Sequence, residues 1–338
     1  MKICIFGAGA IGGLIGGELA RTGHEVTLIC RGAQLEAIRK HGLTVIMDGD
    51  RRHVTPALAT DDPAEAGAQD AVFMVMKAHH VAAAAAALSP LLGPDTPVVA
   101  AQNGIPWWYT HGAGGALEGR ALQSVDPGGR IAAAIGPHRA IGAVIDASTS
   151  MAAPGVVDHH QKDRAVTLGE PMGPNGARLR RLAEALGETD IAAPVADDIR
   201  CAVWKKLLTN AAVSQLCMLT RSTIGRLWDD PNLRALAGTI MSEAAAVAAG
   251  CGVDISDELA RRLAVKALSP LHKPSTLQDF EAGRPMEIDQ ILGVIAEIGR
   301  MVGQPTPTID RIYAIERRLA ENLGLYPAGA SFELPPAG

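Results

Sequence analysis

Aromatic residues are scarce in this chain: four Trp, three Tyr and four Phe make up 3 % of its 338 residues. A core with so few rings must be aliphatic and Ala-rich, and 48 % hydrophobic content of that kind suits helices packed over a parallel sheet. Cysteine is equally sparse. Cys4, Cys30, Cys201, Cys217 and Cys251 are odd in number, and no pair has metal-ligand spacing. That excludes a disulfide framework and a Cys/His metal centre, and it fits free thiols in a reducing cytoplasm. No run of Lys or Arg occurs, and the formal net charge is −5, which argues against nucleic acid and anionic membranes as partners. No stretch is apolar for the length of a membrane span. Residues 1–17, with Lys2 ahead of an uncharged Gly/Ala run, imitate a signal peptide. Their glycines fall at turn spacing, however, and the run continues into an amphipathic segment with Glu18 and Arg21, so a cytoplasmic location is expected.

The first strong signal is Lys2-Ile3-Cys4-Ile5-Phe6 followed by Gly7-Ala8-Gly9-Ala10-Ile11-Gly12. A short apolar strand runs into a G-x-G-x-x-G turn and then a helix. Gly7 permits the tight turn, Gly9 lets the backbone approach a pyrophosphate, and Gly12 lets the helix pack on its strand. The helix N-terminus offers N–H groups and a positive dipole end to the phosphates. A second strand, Glu25 to Cys30, ends where an NAD site places Asp or Glu on the ribose 2′-hydroxyl. Arg31 stands there instead. A guanidinium pairs with a 2′-phosphate that a carboxylate would repel, so NADP is expected over NAD.

Strands and helices alternate through 2–6, 11–22, 25–30, 33–41, 70–76, 79–92 and 97–101, with a strand pair at 43–48 and 53–59. This βαβ alternation implies a Rossmann-type, doubly wound parallel sheet. Short β-like runs between 130 and 170 are expected to extend it. A helix at 174–187 and a strand at 190–193 close an α/β domain spanning 1–195. From 196 to 326 the pattern is helical, with segments at 197–218, 231–250, 256–268, 287–303 and 306–324. Residues 327–338, rich in Pro, Gly and Ala, read as a loosely held tail.

Three constellations carry chemistry. Lys77 and Asn103 follow two adjacent strands of this pattern, at the carboxyl ends where open parallel sheets bind ligands. The competing readings are a solvated lysine and a turn residue before Gly104. Lys206, Asn210 and Ser214 are spaced four apart, so in a regular helix they share one face of an otherwise apolar segment. A lysine buried there has its pKa lowered by desolvation, which suits it to donate a proton; the alternative is that Lys205 and Lys206 face solvent. Ser275-Thr276-Leu277-Gln278-Asp279 and Glu287-Ile288-Asp289 form the third. On their own, those last carboxylates read as helix openers.

Together these segments resemble the ketopantoate reductase family (2-dehydropantoate 2-reductases), and the likeness covers nearly the whole chain. It rests on the Gly7–Gly12 turn, Arg31, Lys77, Gln102-Asn103-Gly104, Trp204-Lys205-Lys206-Leu207 with Asn210, Ser275 to Asp279, and Glu287-Ile288-Asp289. The resemblance implies NADPH-dependent reduction of 2-dehydropantoate, a 2-oxo acid, in pantothenate and coenzyme A synthesis. It implies Lys206 as general acid and Glu287 as its carboxylate. It implies Asn210, Ser214 and Ser275 as substrate ligands, with Lys77 and Asn103 at the junction of cofactor and substrate. Ser214 stands where the family often has Asn, and His272 stands at another such place. Trp107-Trp108-Tyr109 lie in extra material after Asn103, either as a wall over the site or as a packed anchor. Two other readings remain: a reductase of another 2-oxo acid, and a non-catalytic NADP-binding sensor. The helical part can also serve as a homodimer surface.

Overall fold

Strand β1 (Lys2–Phe6) is buried at every position after Lys2, as expected for a strand covered on both faces. The computed structural model describes residues 1–265, 271–327, 330 and 332–334. Chain order continues through α1 (Ala10–Arg21), β2 (Glu25–Ile29), α2 (Gly32–His41), β3 (Leu43–Met47), β4 (Asp50–Val54), β5 (Leu58–Thr60), β6 (Ala71–Met74), α3 (Ala78–Ala85) and β7 (Val98–Ala100). After α4 (Arg130–Ile135) come β8 (Ala140–Asp146), β9 (Thr149–Ala153), β10 (Val156–His159), β11 (Ala165–Gly169) and α5 (Ala177–Gly187).

Seven strands form the main sheet in the order β11-β8-β7-β6-β1-β2-β5. All its pairings are parallel except β11 with β8, which is antiparallel. The carboxyl ends of β1, β2 and β6 therefore lie side by side, so the Gly7 turn, Arg31 and Lys77 share one edge. The expectation that all the strands between 130 and 170 extend this sheet holds only for β8 and β11. β9 and β10 join β3 and β4 in a separate four-stranded sheet, in the order β4-β3-β10-β9. The segment 190–193 contributes only an isolated bridge, Ala192 to Ala165.

Helix α1 lies between the two sheets, and its paired glycines explain how. A Cβ on Gly16 would stand 2.7 Å from Leu28 of the main sheet, and one on Gly17 would stand 2.6 Å from Val45 of the second. Any larger side chain would push the helix off one sheet or the other.

Residues 1–102 and 130–199 form one unit, and 103–129 with 200–338 form the other. A single cut at 195 is therefore not how the chain divides, because the segment after Gln102 packs with the helices. Those helices are α6 (Ile199–Thr209), α7 (Gln215–Thr220), α8 (Ile224–Asp229), α9 (Pro231–Gly250), α10 (Ser256–Leu263), α11 (Ser275–Glu281), α12 (Val294–Val302) and α13 (Pro307–Leu323). Two π-helical turns interrupt them, at Asn210–Ser214 and Asp289–Gly293. Residues 266–268, expected to end the helix that begins at 256, lie outside the described residues. Among the described residues no helix is long and apolar enough to cross a membrane.

Candidate active site

In the first unit the turn after β1 is held by the end of β2, since the Gly7 and Ala8 N–H groups both donate to the Ile29 carbonyl, at 3.1 and 3.2 Å. Only glycine fits at position 12, where a Cβ would be 2.1 Å from the Gly7 carbonyl oxygen. Gly9 is different. Its Cβ would meet no atom within 4 Å, so the backbone there faces open space at the start of α1. The first turn of α1 carries no acidic residue and no side-chain cap. An anion thus finds helix N–H groups, a positive dipole end and nothing that repels it.

Two cations accompany this cradle. Arg31 is exposed at the N-cap of α2, and Lys77 is half-buried at the N-cap of α3. Both act on the His80 imidazole, whose pKa is lowered first by burial and then by the charges of Arg31 and Lys77. At the end of β7, Gln102 donates to the Met74 carbonyl at 2.7 Å, while its own side-chain oxygen is buried with no partner among the described residues. The unit therefore combines a phosphate cradle, a guanidinium and an unused amide acceptor, a set that fits a phosphorylated nicotinamide dinucleotide.

In the second unit, Asn103 and Glu287 meet: the Asn103 amide donates to the Glu287 carboxylate at 3.5 Å. Close backbone contact enforces this. The Ile105 N–H donates to the Gln290 carbonyl at 3.3 Å, beside Gly104, which has a positive φ of 84°. Further along, the buried Glu297 carboxylate accepts from the Gln123 N–H (2.7 Å), the Ser124 N–H (3.0 Å) and the Ser124 hydroxyl (2.6 Å). The segment carrying Asn103 is thus tied to the segment carrying Glu287 at both ends.

Lys206, half-buried on α6, follows Trp204 by two residues. Trp204 donates to the Tyr109 hydroxyl at 2.6 Å, and Arg200 lies over both Trp108 and Tyr109. Trp107 is 4 % exposed, and Trp108 and Tyr109 are fully buried. These aromatics are packing anchors that fasten the 103–129 segment to α6, not a wall over the site.

The stretch that carries Lys206, Asn210 and Ser214 is not one regular α-helix: α6 ends at Thr209, and residues 210–214 form the first π turn. A spacing of four falls slightly short of a full revolution in a π turn where it slightly overshoots one in an α-helix, so the wider turn by itself does not move Ser214 to the opposite side. Lys206 and Asn210 are half-buried, and Ser214 is 6 % exposed. The Gln215 side chain donates to the Asn210 carbonyl at 3.1 Å. The two π turns touch each other, and α11, which begins at Ser275, packs on the first of them. Lys206 and Glu287 both take part in polar or electrostatic interactions.

Sequence reasoning missed Glu297 and the π turns. Its reading of Asp289 as a helix opener matches the start of the second π turn, but it did not foresee that the carboxylate is buried between two tyrosine hydroxyls. A carboxylate two residues from Glu287 inside an apolar run was the available signal for Asp289. None of the five cysteines is in a disulfide, and burial pushes Cys4 and Cys217 up to about 12 and Cys30 and Cys251 to about 11, so those four stay protonated near neutrality. Among the described residues no group of three His, Cys, Asp or Glu side chains is placed to hold a metal ion.

Two family models match the chain: Ketopantoate reductase PanE/ApbA over residues 3–173, and Ketopantoate reductase PanE/ApbA C terminal over residues 198–320. The chain belongs to the ketopantoate reductase family. It is accordingly an oxidoreductase of the class that acts on CH–OH groups. A 2-dehydropantoate 2-reductase of Mesorhizobium japonicum is 45 % identical over 327 residues, covering 96 % of this chain and 100 % of that one. The crystal structure of a candidate ketopantoate reductase from Ralstonia solanacearum matches with a TM-score of 0.88 and 38 % identity, over 96 % of this chain and 99 % of that one. D-mandelate dehydrogenase in a ternary structure with NADH and anilino(oxo)acetate shares the fold, with a TM-score of 0.82 at 23 % identity over 96 % of this chain and 100 % of that one.

Proposed function

We propose that the protein reduces 2-dehydropantoate to pantoate with NADPH, and that Lys206 is the general acid. The observation that carries this reading is the pairing of Asn103 with Glu287, two polar side chains 184 positions apart joined at 3.5 Å within one unit. The full-length likeness to a curated 2-dehydropantoate 2-reductase supports the choice of substrate. Arg31, where an NAD site would have a carboxylate, supports NADPH as the reductant.

When bound, NADPH supplies the hydride to the ketone carbon. Charge then builds on the carbonyl oxygen, and the Lys206 ammonium stabilises that oxygen and delivers its proton. Glu287, as an opposite charge, keeps Lys206 protonated and directed. Asn210, Ser214 and Ser275 provide hydrogen bonds to the acid and hydroxyl groups of the substrate. Lys77 and Asn103 take the cofactor- and substrate-contacting roles that the family resemblance gives them.

The test is turnover of the purified protein, followed by loss of NADPH absorbance. Lys206→Ala is expected to lower kcat by about 10²–10⁴-fold while NADPH binding, read by fluorescence titration, is unchanged. Unchanged turnover, or loss of NADPH binding, overturns the role of Lys206. Reduction of other 2-oxo acids but not of 2-dehydropantoate moves the substrate assignment. NADPH binding without turnover of any ketone identifies a sensor.

A further inference from the structure

Glu287 is held from both sides by the end of the chain. One residue before it, the Met286 N–H donates to the Leu325 carbonyl at 3.0 Å. Two residues after it, Asp289 accepts from the Tyr313 hydroxyl on one oxygen (2.9 Å) and from the Tyr326 hydroxyl on the other (2.7 Å). Asp289 is 3 % exposed. A carboxylate is costly to bury, and an aliphatic side chain would fill the same space at less cost. What the carboxylate adds is direction: two phenol donors from separate stretches of sequence fix its plane, and with it the backbone that carries Glu287. Asp289 also opens the second π turn, which is backbone that a plain helical ladder does not hold.

Tyr326 is itself secured. Its N–H donates to the Ala320 carbonyl at 3.2 Å, and the Arg317 guanidinium lies 5.2 Å from its ring centroid. Arg317 also donates to the Phe332 carbonyl, and Phe332 is buried against Gly293 and the edge of Tyr313. The residues expected to form a loose tail therefore include Phe332, which packs on the π turn. Burial raises the Asp289 pKa, and the hydrogen bonds from Tyr326 and Tyr313 oppose that shift. The two hydroxyls thus offset part of the cost of burying the carboxylate's charge.

We infer that Tyr326 and Tyr313, acting through Asp289, are positioning residues for Glu287, so that the C-terminal segment is a working part of the reductase site. This rests on the role given to Glu287 above. The test compares Tyr326→Phe, which removes one hydroxyl and keeps the ring, in the full-length protein and in a Glu287→Gln background. In the otherwise unchanged enzyme, kcat for 2-dehydropantoate is expected to fall about tenfold with KM for NADPH unchanged, because misaimed groups lose transition-state contacts and not cofactor affinity. In the Glu287→Gln background the same substitution is expected to cost less than about twofold, since residues acting as one unit are not additive. Tyr313→Phe is held to the same comparison. Equal losses in both backgrounds, or full activity of both tyrosine variants, overturn the inference. Wild-type turnover by Glu287→Gln alone instead removes the role of Glu287, which tells the two failures apart.

Discussion

A Cβ on Gly104 would stand 1.9 Å from the carbonyl oxygen of Gln290. Two stretches of backbone are pressed together at this point, and the contact sets Asn103 beside Glu287. Gly104→Ala cannot be absorbed by a rotamer change, because the obstructing atoms are backbone and φ is +84°. The variant is expected to lose about 3–5 kcal/mol of stability, as overpacking combined with a strained φ does, and to lose turnover as Asn103 moves away. Chemical denaturation and kcat measure both. A variant with native midpoint and native turnover would show that the crossing is loose.

The glycine turn after β1 yields a contrast between two substitutions. Gly12→Ala meets the Gly7 carbonyl at 2.1 Å and should disrupt the first unit. Gly9→Ala meets nothing within 4 Å, and φ there is −78°, an ordinary value for alanine. It is therefore expected to fold like the parent protein and yet to bind NADPH at least about tenfold more weakly, because the methyl group occupies the space a pyrophosphate needs. Thermal unfolding and a binding titration separate the two effects. Normal NADPH affinity in Gly9→Ala would place the phosphates elsewhere.

Glu316, on α13, has no exposed surface, and neither carboxylate oxygen has a partner among the described residues. Burial raises its pKa well above the usual carboxylate range, so the folded protein favours the neutral form. In the unfolded chain it ionises at the ordinary Glu value, about 4.3. Its contribution to stability is therefore fully present below that value and is lost as pH rises toward the folded pKa. Glu316→Gln removes this loss. The stability gap in favour of the variant should widen from about pH 5 upward, with a limiting slope of about 1.4 kcal/mol per pH unit. Denaturation midpoints across a pH series test it, and parallel curves for the two proteins would refute it.

The features legible in the sequence were those set by local rules. The strand-turn-helix at 2–21 was readable because the closest of its contacts is local: Gly12 answers to the Gly7 carbonyl and to Ile5 of the preceding strand. That Arg31, Lys77 and Asn103 follow strands was readable from the apolar runs that precede them. Choice of partner was not readable. β10 carries strand character, but nothing local says that it pairs with β3 instead of extending the main sheet beside β8, or that β9 then pairs with β10. The π turn at 210–214 was hidden as well, because its residues fit an α pattern and only the packed structure reveals the wider turn. Asp289 was legible as the opener of a helical turn, but not its donors, since Tyr313 and Tyr326 lie far along the chain. Trp107, Trp108 and Tyr109 were conspicuous, but whether rings line a cleft or fill a core depends on what covers them, and here α6 does.

That last arrangement has a consequence for synthesis. Tyr109 leaves the ribosome 95 residues ahead of Trp204, the residue that donates to its hydroxyl. At ordinary translation speeds the bulky rings of 107–109 wait roughly five to twenty seconds for the helix that shelters them. During that interval the nascent polypeptide displays a sticky apolar cluster, and chaperone supply should govern how much of it reaches the native state.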